Sequence, residues 1–324
     1  MTDVPVDLAM GEDIPTRPTS SPTGPDRIFR FVATAAGCVS LAIVVTTFVF
    51  LVKESGPAFH AAGVWNFFTG SIWNPGAGRF GVFGLLMGTV IIATIAMALA
   101  VPMALGMALF INEFAPPWLR QPLTSMMDLL AALPSILYGL WAVFTLQDRL
   151  VPIARWLTDH LSVIPYFRLS SNGATLAKSS FVAGVVVAFM IVPIITSVSR
   201  DVMAQVPRDQ CEGALALGGT RWGMIREVIL PFGRSGIVGA ALLGFGRALG
   251  ETIAVAMVVS LVFKANPHIL QLGAGSIASL IAIHFGEADA IERSGLVGAG
   301  LALFLLTFVV NIGARRIVAR TRVA

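Results

Sequence analysis

Within the long apolar stretches of this 324-residue chain, the side chains able to carry charge are Asp128, Arg247 and Glu251. Each costs roughly 2.5–3.5 kcal/mol at the centre of a bilayer on insertion scales, so each is expected to face the protein interior or a water-filled path. Arg247 and Glu251 are four residues apart, the spacing that puts two side chains on one helix face, and an ion pair fits it. Such a pair either orients the helix or does chemistry. A guanidinium offers a planar fork of donors that matches a tetrahedral oxyanion, and a carboxylate beside it keeps the anion from being held permanently. Gly244, Gly246 and Gly250 surround the pair, with Gly246 and Gly250 in the G-x-x-x-G spacing that lets helices approach closely; Gly84 and Gly88 repeat it without a charge nearby. Asp128, close to the end of its stretch, is accounted for by capping or snorkelling.

The elements that must hold these residues follow from composition. The chain is 56% hydrophobic and 12% charged, against a soluble-domain average of about 25% charged, which points to the bilayer. Six runs predict spans: Phe31 to Val52, Val82 to Phe110, Leu123 to Leu146, Ser179 to Val198, Ile237 to Phe263 and Leu296 to Ile312. The expected fold is therefore all-α, a polytopic protein with six transmembrane helices. Pro102 in the second run predicts a kink or a continuation toward Asn112 and Glu113. Gln147 to Lys178 mixes Leu150, Ile153, Trp156 and Leu157 with Arg149, Arg155 and Asp159, which suits a short interfacial helix. Residues 1–30 are polar at first, rich in Pro, Ser and Thr, and predict a disordered tail before a membrane domain over 31–324.

With the N-terminus inside, 13 Lys and Arg residues fall on the cytoplasmic side and 8 on the other, so the positive-inside rule puts both termini and the loop between the fourth and fifth spans in the cytoplasm. No basic block interleaved with aromatics suggests nucleic acid. Cys38 and Cys211 have no redox or metal spacing, and His60, His160, His268 and His284 fall in external loops without ligand spacing; no metal site is expected. The spans contain neither paired carboxylates nor a Ser/His set, which argues against an intramembrane enzyme, and no catalytic residue is assigned.

The cytoplasmic loop reads VPRDQCEGALALGGTRWGMIREVILP over 206–231. Pro207, Asp209 and Glu212 suit a helix start, where φ is preset and negative charge meets the positive dipole end. Gly218 and Gly219 then break the helix, Thr220 is placed to cap a second one, and Pro231 is expected to end it. The outcome is a rigid corner of two helices, either a plain interfacial hairpin or a knob for a groove on another protein.

That loop resembles the cytoplasmic signature of ABC-importer permeases, E-A-A, three residues, G, nine residues, I-x-L-P. Glu212, Ala214, Gly218, Leu230 and Pro231 stand at matching positions, with Gly213 in place of the first Ala and Val228 in place of Ile. The resemblance implies type I permease architecture and a coupling loop seated on a separate ATPase dimer. Because no G-x-x-x-x-G-K-[ST] occurs here, with Ala177 and Asn172 where Lys178 and Ser179 would need glycines, ATP and Mg are expected on that partner and no cofactor on this chain. LGFGRALGETIAV (243–255) and LAALPSILYGLW (130–141) further resemble the phosphate-specific importer permeases. By position, that resemblance implies an intramembrane pair at Arg247 and Glu251 on the phosphate path, with Pro134, Ser135, Tyr138 and Gly139 in the third-span segment. Ser135 and Tyr138 are able to donate hydrogen bonds to an anion, although core packing accounts for them as well. The resemblance also implies a second, homologous permease as heterodimer partner, an extracytoplasmic phosphate-binding protein and a multi-pass location in a bacterial plasma membrane. The long N-terminal tail and extended third-to-fourth loop look more like the C-type than the A-type subunit. Another oxyanion such as sulfate or molybdate, or an ion-coupled carrier with Glu251 as its protonatable site, are the competing readings.

Overall fold

The computed structural model describes residues 24–169, 176–273 and 275–320, with side chains to 316 in the last helix. Of the described residues, those from 24 to Phe50 belong to one compact unit and those from Leu51 onward to another. The first unit is the greater part of a single helix, α1 (Gly24–Glu54), with Asp26 in its first turn and Lys53 in its last, each complementing the helix dipole. It starts at Gly24 instead of Phe31, so the polar DRIFR run belongs to the helix; the rest of the expected tail lies outside the described residues.

The second unit opens with α2 (Gly56–Ala62) and α3 (Val64–Thr69), then a hairpin of β1 (Trp73–Asn74) and β2 (Arg79–Phe80). The hairpin pairs Trp73 with Phe80, and its turn depends on Gly78 at φ +63°, where a side chain would be strained. This small antiparallel pair was not expected of an all-α chain. The long α4 (Phe83–Leu109) passes through Pro102 and extends by a π-turn at Phe110–Phe114, as the run of apolar residues toward Asn112 suggested.

The third run does not form one span. α5 (Pro117–Ala132) and α6 (Ser135–Trp141) are bent from one another by 93°. Pro134 explains the break: it has no N–H to donate, and its ring forces the preceding residue out of the helical region, so Leu133 takes φ −63°, ψ 135°. A π-turn at Ala142–Leu146 then leads into α7 (Gln147–Leu161), a helix of four turns where a shorter one was expected.

α8 (Ser180–Met203) is capped by Ser179, whose hydroxyl accepts from Val182 N at 3.4 Å. It is the hub of the core. Along α4, Ala93, Ala96, Ala100, Ala104 and Ala108 are all fully buried, a stripe at helical spacing that brings α4 close to α8. Gly184 completes that contact, since a Cβ there would stand 2.5 Å from Ile95.

α9 (Arg208–Ala216) and α10 (Arg221–Met224) form the corner predicted from the loop. The second helix, however, does not end at Pro231. It continues through a π-turn at Ile225–Ile229 into α11 (Leu230–Leu249), and Pro231 follows directly on that π-turn, where the backbone bonding is already displaced. The expected fifth span is thereby shifted. The chain leaves α11 at Gly250 instead of running on to Phe263, resumes as the short α12 (Ile253–Val258), and crosses an irregular stretch before α13 (Ile277–His284) and α14 (Ala290–Arg320). Among the described residues, five helices are long and apolar enough to cross a membrane, and the bent pair of α5 with α6–α7 makes a sixth candidate.

Candidate functional site

The break after α11 decides what Glu251 and Arg247 do. Glu251 is 6% exposed, and its Oε1 accepts the Ala254 backbone N–H at 3.1 Å, capping α12. Its carbonyl accepts Ser276 Oγ at 3.5 Å, just before the capping box that Ser276 and Ser279 make on α13. The ion pair expected from the four-residue spacing is therefore not formed. That spacing aligns two side chains only while the helix continues, and here it has ended at Leu249. Ion pairs within 4 Å include Arg200–Asp201, Arg226–Glu227 and His284–Glu292. Arg247 remains exposed on the last turn of α11, its charge available.

The third-span segment is closed on itself by the Tyr138 hydroxyl. That hydroxyl donates to the Leu130 carbonyl at 2.9 Å across the α5–α6 bend, and the same carbonyl accepts the Leu133 N–H at 3.3 Å. Tyr138 is thus engaged by the fold as a donor. Ser135 stands at the first position of α6, half-buried. Gly139 has a role that the sequence did not disclose: a Cβ on it would stand 3.0 Å from Met257 Sδ and 3.1 Å from Ala254 Cα. Its absence lets α6 lie directly on α12, so that the helix capped by Glu251 and the one carrying Tyr138 share a seam.

The glycines near Arg247 divide differently from the G-x-x-x-G expectation. A Cβ at Gly246 would meet open space and one at Gly250 would touch only its own helix, whereas Gly244 is pressed on Ile195 and Gly236 on Val202. The close approach of α11 to α8 runs through Gly236 and Gly244. Gly84 and Gly88 are used, but against backbone and not a helix: a Cβ would collide with the carbonyl oxygens of Phe263 and Gly275. They seat the irregular stretch after α12, and Thr89 Oγ1 accepts the Ile277 N–H at 3.1 Å beside them. Asp128 accepts from Ser197 Oγ at 3.0 Å, tying α5 to α8, a link that no local pattern signals.

At the other end of α11 the corner has the geometry anticipated for it. Gly218 takes φ +84°, the Gly218 and Gly219 N–H groups bond to the carbonyls of Leu215 and Ala214 at 3.0 and 3.1 Å, and Thr220 Oγ1 accepts from Gly223 N at 3.1 Å. The corner is anchored by Met203, Val206, Met224, Ile225 and Ile229, packed on Ala108. Its outward side is bare. Nothing in α9 is buried, Glu212 and Gly213 are exposed, and Leu217 at 91%, Trp222 at 63% and Leu215 at 41% exposure stand around the glycines. A patch of this kind on a rigid mount marks an interaction surface. Cys211, half-buried behind it, has its thiol pushed up by burial and by the carboxylates of Glu113 and Glu212.

A family model described as a binding-protein-dependent transport system inner membrane component matches residues 100–323. The chain is 40% identical over 296 residues, 90% of its length and 91% of the other, to the phosphate transport system permease protein PstC 2 of Mycobacterium bovis, and 38% identical over 296 residues, 91% of each, to PstC of Xylella fastidiosa. The chain belongs to the PstC family of importer permeases. In fold, the permease is similar to a chain of a bacterial ABC transporter involved in the import of alginate, with TM-score 0.52 and 14% identity over 90% of this chain and 99% of that one. The fold is thus that of an ABC importer permease.

Proposed function

We propose that this chain is the channel-forming subunit of an ATP-driven importer that moves inorganic phosphate across the plasma membrane. The kinship with phosphate transport permeases along nine-tenths of the chain supports phosphate. The observation that carries the mechanism is the continuity of the helix from the corner to Arg247: α10, its π-turn and α11 join the exposed Leu217–Trp222 knob to that arginine. The corner lies in the cytoplasm with both termini and seats on a partner ATPase, which supplies the ATP and Mg chemistry; a second permease and an extracytoplasmic binding protein complete the complex. Phosphate passes Arg247, which offers the guanidinium fork to its oxygens. Glu251 acts differently from the expected counter-ion, holding the α12 start in place beneath that path. Two-state coupling follows if ATPase closure and phosphate release each favour one of two conformations.

Arg247→Gln in the reconstituted complex tests the path: uptake of labelled phosphate is lost while assembly is intact, and full uptake by the variant would demote Arg247 to structure. Crosslinking from a cysteine placed at Ala216 tests the docking, and absence of an ATPase adduct in membranes would sink it. Labelled phosphate in competition with sulfate distinguishes the cargo.

A further inference from the structure

Between α2, α3 and the β1–β2 hairpin lies an open cavity of about 420 Å³, and among the described residues the one charged side chain lining it is Arg79. Asn66 and Ser71 supply polar side chains, and no carboxylate among the described residues lines it. The hairpin that carries Arg79 is held from behind. Trp73 meets Phe80 edge-on at 5.1 Å and stacks on Phe263 at 5.8 Å, and its Nε1 donates to Glu292 at 3.4 Å. Gly78 fixes the turn, a Cβ on Gly81 would collide with the Gly70 carbonyl, and one on Gly70 would collide with the Asn66 carbonyl oxygen. Arg79 is therefore an exposed cation on a rigid mount, not a side chain on a loose loop. Ile72 on its lining is 60% exposed, and Trp65, next in sequence to the lining residue Asn66, is 79% exposed. Arginine and tryptophan are residues in which binding energy concentrates at interfaces.

We propose that this cavity is the docking socket for an acidic side chain of the extracytoplasmic binding protein, with Arg79 as its anchor and Trp65 and Ile72 as the rim. The proposal rests on the importer role and orientation given above, which put the hairpin on the outer face. The occupant follows from charge and size: a positive recess without a carboxylate takes a negative group, and its volume holds one or two side chains but not a domain. A lipid surface is the competing occupant for Trp65, but a concave site with one buried-backed cation suits a protruding carboxylate better than a planar headgroup layer.

The test uses the whole complex in nanodiscs, with phosphate-loaded binding protein titrated against ATPase activity. Arg79→Glu is expected to raise the half-saturating concentration of binding protein on the order of tenfold or more while leaving the rate without binding protein unchanged. Ala77→Trp, which fills the cavity and keeps the charge, is expected to do the same, and guards against a misfolding artefact in either variant. An unchanged titration for both variants overturns the socket. A defect that follows the anionic lipid content of the disc and not the binding-protein concentration also overturns it, in favour of a headgroup contact. If the unaltered complex itself gives no response to binding protein, the importer reading fails instead.

Discussion

Gly213 and Gly218 lie five residues apart in the same corner, yet replacing each by alanine should move the corner in opposite directions. Gly213 is inside α9 with helical backbone, and a Cβ there would meet nothing within 4 Å. Only propensity is at stake, and alanine is favoured over glycine by about 0.8–1.0 kcal/mol in a helix interior. Gly218 also has open space around it but sits at φ +84°, where an L side chain costs about 1–2 kcal/mol. Loss of freedom in the unfolded chain returns roughly 0.4–1 kcal/mol of that, leaving a net cost of about 1 kcal/mol. Because no side chain of α9 is buried, its amides open locally, and hydrogen exchange in detergent micelles reads that opening directly. At about 1 kcal/mol, Gly213→Ala should slow exchange across Cys211–Leu217 about fivefold and Gly218→Ala should speed it about fivefold. If Gly213→Ala leaves exchange unchanged or faster, the looseness of α9 is not set by glycine entropy, and if Gly218→Ala is neutral, the left-handed turn is not what holds the corner.

Three further outcomes follow from the geometry. Glu251→Ala leaves the buried Ala254 N–H without its acceptor and should cost about 1–3 kcal/mol in thermal unfolding, whereas Glu251→Gln retains an oxygen at that place and should cost less than half as much; equal losses would show that charge, not capping, is what matters. Gly139→Val drives a side chain into Met257 and Ala254 and should lower stability by about 1–3 kcal/mol, separating α6 from α12; wild-type stability and uptake would refute the close seam. Cys211, whose thiol is pushed up by burial and by Glu113 and Glu212, should alkylate slowly at neutral pH, with the rate rising only above the ordinary thiol range. The sign for stability follows: the folded corner prefers the protonated thiol, so this contribution is intact below the ordinary thiol value and declines as pH rises past it. Glu113→Gln should move the alkylation profile to lower pH, and an unmoved profile would exclude its carboxylate as a cause.

Local chemistry explains what was readable in the sequence. The corner was legible because each of its parts is a backbone requirement: Pro207 at a helix start, Gly218 at positive φ, Thr220 as a cap. Apolar length made most of the spans readable for the same reason, since every backbone group in a bilayer must be satisfied within the helix. What failed were breaks within apolar sequence. A hydropathy run does not change at Gly250, so the end of α11, the capping role of Glu251 and the loss of its pairing with Arg247 were invisible there. Pro134 did carry a signal for the α5–α6 bend, but the apolar residues on both sides outweighed it. Contacts set by tertiary packing, such as Gly139 on Ala254 and Asp128 on Ser197, leave no periodic trace at all.

The shifted fifth helix also changes how the proposed coupling is to be understood. Had the corner ended at Pro231, a push from the ATPase would have had to cross a loop before reaching Arg247. Instead the helix is continuous over Arg221–Leu249, and at ~1.5 Å per residue it forms a rod roughly 40 Å long, with Trp222 near one end and Arg247 in its last turn. Its soft point is the π-turn at Ile225–Ile229, where backbone bonding is already displaced. Its guide is α8, against which Gly236 and Gly244 keep it close enough that tilting is restricted and sliding or rotation along the seam is favoured. Beyond Leu249 the rod meets a separate piece, α12, fixed by Glu251 and by Gly139 of α6. Movement of the corner is therefore expected to displace Arg247 relative to the α6–α12 seam, changing the separation between its guanidinium and the Tyr138 segment while Glu251 stays in place. A cation that moves against a stationary wall is a means of releasing an anion, and an arginine locked to Glu251 on one helix would have carried its counter-ion with it.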